Sequence, residues 1–99
     1  MSINSNVDIL KKVADIERLK CNLLSGVSAF FEAVANGEHG IDDLCCVLEN
    51  CYFLASHHGL CFDSLDKRLA EKLRLSILEN DVNEADKLKK DLLKHIIRK

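Results

Sequence analysis

Apolar residues recur along this chain at spacings of three and four, the period of one face of an α-helix. The first run is Ile9, Val13, Ile16, Lys20, Leu23, Val27, Phe30 and Val34. Seven of those eight positions are apolar, and the Lys20 stem can pack while its amine reaches water. Leu10, Leu19, Leu24 and Phe31 widen the stripe, while Asp15, Arg18, Asn22, Ser25 and Glu32 face away from it. Ser5 or Asn6 can cap the start. Asn36-Gly37 ends the run, because both residues tolerate a left-handed backbone. This predicts a first helix of about 30 residues, roughly 45 Å long at 1.5 Å per residue. Ser25-Gly26 marks a place inside it for a kink or a close helix contact.

The second run lies in Ile41–Phe62, the most apolar stretch, which holds four of the five cysteines and two of the four histidines. Asp42 and Asp43 at its front and Gly59 at its end predict a helix from about Asp42 to His58. Leu44, Leu48, Cys51 and Ala55 fall on one face, taken here as the inner one. The opposite side is mixed: Cys46 and Phe53 sit seven residues apart among Glu49, Asn50 and His57. Either another helix covers that side, or Cys46 and Phe53 belong to a partner surface. Leu48 at the centre of the inner face predicts a cavity in Leu48→Ala, with a smaller loss for Phe53→Ala.

The remaining pattern predicts two more helices. Asp63 and Asp66 have capping-box spacing at the start of a third. Leu65, Leu69, Leu73 and Ile77 form its inner stripe, with Leu75 and Leu78 pointing elsewhere. Residues 79–84 are dense in turn and cap formers and predict a break, with a fourth helix then running from about Glu84 to Ile97. The alternative is one long helix, because Leu75, Leu78, Val82, Ala85, Lys89, Leu92 and Ile96 hold 3,4-spacing straight through. Short links at Glu38-His39-Gly40 and Leu60-Cys61-Phe62 make sequential helices antiparallel neighbours.

The pattern thus specifies an all-α fold: one domain over residues 1–99, an up-and-down bundle of three or four helices with the first the longest. Composition agrees, with no Pro and 47% hydrophobic residues in a chain of 99. No apolar run approaches the length of a membrane span. The N-terminal MSINSNVDIL lacks the basic-then-apolar order of a secretory signal. Five cysteines, an odd number at irregular spacing, read as reduced thiols in a cytoplasmic protein.

Charge and chemistry change this picture little. A formal net charge of −2 argues against a general nucleic-acid binder, although the amphipathic Lys87–Lys99 run could meet phosphates. Cys51, His57, His58 and Cys61 are the candidate metal ligands, but their spacing suits a zinc site poorly. Cys51 and His58 share a face roughly 10 Å apart along the axis. Cys61, near two histidines, is the best placed thiol for reactivity. No nucleophile elbow, phosphate loop or His-Glu-x-x-His motif is present. The sequence therefore predicts no catalytic residues and no cofactor. It predicts an interaction protein working by helix packing, such as an adaptor, chaperone-like subunit or regulator. A homodimer is expected, because the early half of the first helix carries Ile9, Val13 and Ile16 beyond the reach of the shorter second helix; another helical protein could fill the same need. The interface candidates are Ile9, Val13, Ile16, Cys46 and Phe53. The rival readings are a metal- or thiol-based sensor or enzyme built on the Cys51/His57/His58/Cys61 cluster, and a nucleic-acid binder using the C-terminal helix.

Overall fold

A computed structural model describes the backbone of residues 3–79 and 84–98 and the side chains of residues 7–78 and 87–98. It holds four helices: α1 (Ile3–Ala35), α2 (Ile41–His57), α3 (Phe62–Glu79) and α4 (Glu84–Ile97). The described residues contain no strand. At 33 residues α1 is the longest, against 17, 18 and 14 for the others. The packing falls into two compact units, Met1–Leu60 and Cys61–Lys99. Each is a pair of helices, α1 on α2 in the first and α3 on α4 in the second.

Both turns of the first unit are closed by glycine in the way the sequence predicts. Gly37 has φ 80°, and the Gly37 and Glu38 N–H groups bond back to the carbonyls of Val34 and Ala33. Gly59 has φ 81°, with the Gly59 and Leu60 N–H groups on Ser56 and Ala55. These paired bonds satisfy the last carbonyls of α1 and α2. At the start of α2, Gly40 takes the left-handed conformation and offers no side-chain cap. The ring of His39 substitutes, its Nδ1 accepting the Ile41 N–H at 3.2 Å.

The first hairpin corrects the expected helix faces. On α1 the residues turned toward α2 are Ile16, Leu19, Leu23, Gly26, Phe30 and Ala33. Of the predicted stripe, Ile16, Leu23, Val27 and Phe30 are half-buried, while Ile9, Val13, Lys20 and Val34 are exposed. On α2 the packed residues include Cys46, Val47, Asn50 and Leu54, so the mixed side is the one a helix covers. The supposed inner residues Leu44, Leu48 and Cys51 are exposed, Leu48 by 59%; of that set Ala55 alone is buried. The cause is small-residue packing. A Cβ on Gly26 would stand 3.1 Å from Val47 Cγ2 and 3.6 Å from the Val47 backbone nitrogen, so the bare glycine lets the backbones approach closely. A leucine face could not come so near. Asn50, 5% exposed, is accommodated because its Nδ2 donates to the Cys46 carbonyl at 2.7 Å and contacts Cys46 Sγ at 3.4 Å.

In the second unit α4 packs back along α3. Lys89 Nζ donates to Ser76 Oγ at 2.6 Å, and Ala70 is buried. Leu65, Leu73 and Ile77 are half-buried as expected, while Leu69 is more open; Leu75 and Leu78 point to solvent. Helix α3 begins one residue before Asp63. The Cys61 carbonyl takes the Ser64 and Leu65 N–H groups, and Asp63 bonds Lys67 at 3.0 Å. The residue at the cap position is therefore Cys61, two before the expected Asp63. The break expected at residues 79–84 falls between α3 and α4, largely on residues 80–83, which lie outside the described ones.

Candidate helix-packing surface

The two helices of the first unit leave a large apolar surface uncovered. The register is antiparallel: Gly26 lies at Cys46 and Val47, and Phe30 and Ala33 lie at Gly40. Carried along at equal rise per residue, it brings His57, the end of α2, to about Ile16. The start of α1 therefore extends past α2, and Ile9, Leu10 and Val13 there are exposed. Leu24, Phe31 and Val34 continue the exposed stripe farther along α1.

On α2 the exposed apolar residues are Ile41, Leu44 and Leu48, with Cys45 and Cys51 beside them. At about 100° per residue, the α1 stripe is turned roughly a quarter turn from the side that meets α2. The α2 stripe is turned by roughly a third of a turn from the side that meets α1. Antiparallel helices count these angles in opposite senses, so both turns lead to the same side of the hairpin. The periodic stripes of the two helices thus form one continuous apolar face.

What is buried in exchange is little. The fully buried apolar residues described are Leu19, Ala33, Ala55 and Ala70, and no large side chain is wholly enclosed. Burying a side chain such as Leu or Ile is worth about 1.5–3 kcal/mol. Ordering the backbone opposes this by about 1–2 kcal/mol per residue. In the first unit that leaves one leucine and two alanines, a weak core for such a length of helix.

The sequence-predicted residues divide accordingly. Ile9 and Val13 lie on the open face, and Ile16 is half-buried at the end of the α1–α2 contact. Cys46 sits inside the hairpin against Gly26, and Phe53 lies part-exposed at its margin. Sequence reading missed Leu24 and Phe31 as surface residues and Asn50 as a buried one. Gly26, read from the sequence as a place for a kink or a close helix contact, is where Val47 of α2 packs.

Cys51 on α2 and His58 just after it are exposed, and His57 is half-buried. Among the described residues no three His, Cys, Asp or Glu side chains gather as a metal set. Cys61 caps α3, and its Sγ lies 2.9 Å from Ser64 Oγ. The Ser64 hydroxyl and then the Ser64 N–H hold this thiol below its ordinary pKa, against slight desolvation and the charge of Asp63. A lowered pKa means more thiolate at a given pH. Alkylation by iodoacetamide, followed by peptide mass spectrometry, should therefore plateau for Cys61 at lower pH than for an ordinary exposed thiol. Ser64→Ala should move the Cys61 profile to higher pH; an unchanged profile would show that the hydroxyl does not act on the thiol.

The second unit carries an open cleft of about 570 Å³ between Asp63, Lys67, Glu71 and Arg74 on α3 and Ile96 and Ile97 on α4. Its charges are partly neutralised locally, Asp63 by Lys67 and Glu71 by Arg68, each at 3.0 Å. The basic C-terminal run is likewise broken up, because Lys89 turns inward to Ser76. No described helix is long and apolar enough to cross a membrane.

No curated protein and no solved structure matches the chain. The model of the MazG-like family matches residues 9–92. That match begins in the exposed start of α1 and runs into α4, so it takes in both helical pairs and the open face of the first. The chain belongs to the MazG-like family.

Proposed function

We propose that the chain is a helical interaction protein, an adaptor or regulatory subunit, that acts by helix packing rather than by catalysis and does so in a cytoplasm. One observation carries the reading: α1 and α2 turn their apolar stripes to a common side, where Val13, Phe31 and Leu48 stand 54%, 65% and 59% exposed. A monomer rarely leaves so continuous an apolar face in water unless something docks on it. All five cysteines are free, which fits a reducing compartment.

The test is recovery of the tagged full chain from the cell that makes it, beside the variant Phe31→Asp/Leu48→Asp. The wild type should bring down a stoichiometric protein, itself or another, and the variant should lose it. Equal recovery of nothing by both would end the proposal. A second reading, a thiol-based sensor, is favoured by the Cys61–Ser64 contact alone, and the alkylation profile above bears on it.

A further inference from the structure

We propose that one side of the α3–α4 hairpin is a docking groove for an acidic amphipathic helix, one whose apolar stripe is flanked on both sides by carboxylates. The site lies wholly within the second unit and does not depend on the apolar face of the first. Three observations carry it: an aliphatic groove, cations on its rim, and the distance between them.

The groove has a volume of about 350 Å³ and is lined by Arg74, Ile77 and Leu78 of α3 and by Lys90 and Leu93 of α4. Ile77 and Leu93 are half-buried and form its floor, while Leu78 stands open to solvent beside them. The charged residues that line it are both cations, Arg74 and Lys90, and both are exposed. Among the described residues no carboxylate lines the groove, and none is paired with either cation. Glu71, one turn before Arg74, is held by Arg68 at 3.0 Å. Lys94, one turn beyond Lys90, is exposed and lengthens the positive rim. A partner must therefore supply apolar side chains to the floor and negative charge to the rim. An aliphatic floor gives a nucleic-acid phosphate nothing to bond. A concave floor takes in a protruding side chain better than it meets a flat lipid surface. Both features suit a helix laid into a groove.

The spacing agrees with that occupant. Arg74 and Lys90 stand on different helices, and the axes of packed helices lie about 8–10 Å apart. The Lys89–Ser76 contact sets the register and puts the two cations within about one turn of the same level. They therefore flank the floor from opposite walls. A helix lying along the groove is about 10–12 Å wide with its side chains, close to the separation of those walls. Its apolar stripe then meets Ile77 and Leu93, and an acid on each flank of the stripe meets one cation. This is the charge arrangement found beside the apolar seam of a coiled coil.

The experiment selects helical peptides, displayed as a library randomised along one face, for binding to the full chain. Binding of the enriched peptides is then measured by fluorescence anisotropy. They should carry Leu, Ile or Phe with Asp or Glu on both flanks, and should bind more weakly as salt rises. Arg74→Glu/Lys90→Glu should weaken that binding at least ten-fold. Peptides with Lys in place of the acids should bind this variant at least ten-fold better than they bind the wild type, a result that an unfolded chain does not give. Leu78→Asp should also weaken the acidic peptides at least ten-fold. Phe31→Asp/Leu48→Asp should leave them unaffected, so this groove and the face of the first hairpin stand or fall separately. Enrichment of no acidic peptide, or equal binding by the wild-type and charge-reversed chains, would overturn the proposal. So would loss of acidic-peptide binding in Phe31→Asp/Leu48→Asp, which would move the site to the first hairpin. If no peptide is enriched but phosphatidylserine vesicles or duplex DNA bind and are lost on charge reversal, that partner replaces the helix and the proposal is rejected.

Discussion

Gly40→Val is expected to lower the stability of the α1–α2 hairpin by about 2–5 kcal/mol, through two separate costs. Gly40 has φ 65°, a left-handed conformation that disfavours a residue with Cβ by roughly 1–2 kcal/mol. The added Cβ would also stand 2.7 Å from Phe30 Cδ1 and 3.4 Å from the Ala33 Cβ. Such overpacking costs typically 1–3 kcal/mol. The Phe30 ring also lies beside that of Phe31, with centroids 6.0 Å apart. Gly37→Val separates the two costs. Gly37 has φ 80° but nothing lies within 4 Å of the added Cβ, so it should show the conformational cost without the collision. Urea unfolding followed by circular dichroism measures both. Equal losses at the two positions would mean that the Phe30 ring yields freely.

The elements of the fold were legible in the sequence because their signals are local. Gly37 and Gly59 stop α1 and α2 where their composition says they should, and the turn and cap formers at residues 79–84 separate α3 from α4. The direction each helix faces was less legible. The Leu44–Leu48–Cys51 stripe is real, yet it points away from α1. A hydrophobic stripe reports which side must be dry; it does not report which neighbour dries it. The contact with α1 depends instead on Gly26, Ala33 and Gly40, whose absent or short side chains contribute little to any hydrophobic pattern. Asn50 shows the same limit from the polar side. It counts as hydrophilic, but inside the helix it spends its Nδ2 on the carbonyl four residues back and can be buried there. The α3 cap was misassigned because Asp63 outranks cysteine as a cap former. Here the Cys61 thiol meets the Ser64 hydroxyl instead. A family match that spans both helical pairs adds that they occur together along one chain, which neither pair's pattern could establish alone.

The contrast between Leu19 and Leu48 tests this division of faces most directly. Leu19 is 6% exposed and is the largest of the buried apolar side chains, facing α2 from the middle of α1. Leu19→Ala should remove its transfer energy and leave a cavity, for a loss of about 2–5 kcal/mol. That is a large share of the 5–15 kcal/mol typical of a small domain. The loss belongs to the hairpin itself and should appear at every protein concentration. Leu48 was expected from its stripe to behave in this way, but within the hairpin it has no cavity to leave, since it is 59% exposed. Leu48→Ala should therefore change stability by roughly 0.5 kcal/mol or less where the chain is dissociated, as surface substitutions do. Were the proposed docking face of the first hairpin covered by another copy of the chain, truncating Leu48 should weaken that assembly and widen the gap in melting temperature from the wild type as concentration rises. Thermal unfolding of wild type and both variants across a hundred-fold concentration range distinguishes the two behaviours. A Leu48→Ala loss that matches Leu19→Ala at the lowest concentration would place Leu48 in the interior of a single chain and remove the apolar face on which the proposed packing function rests.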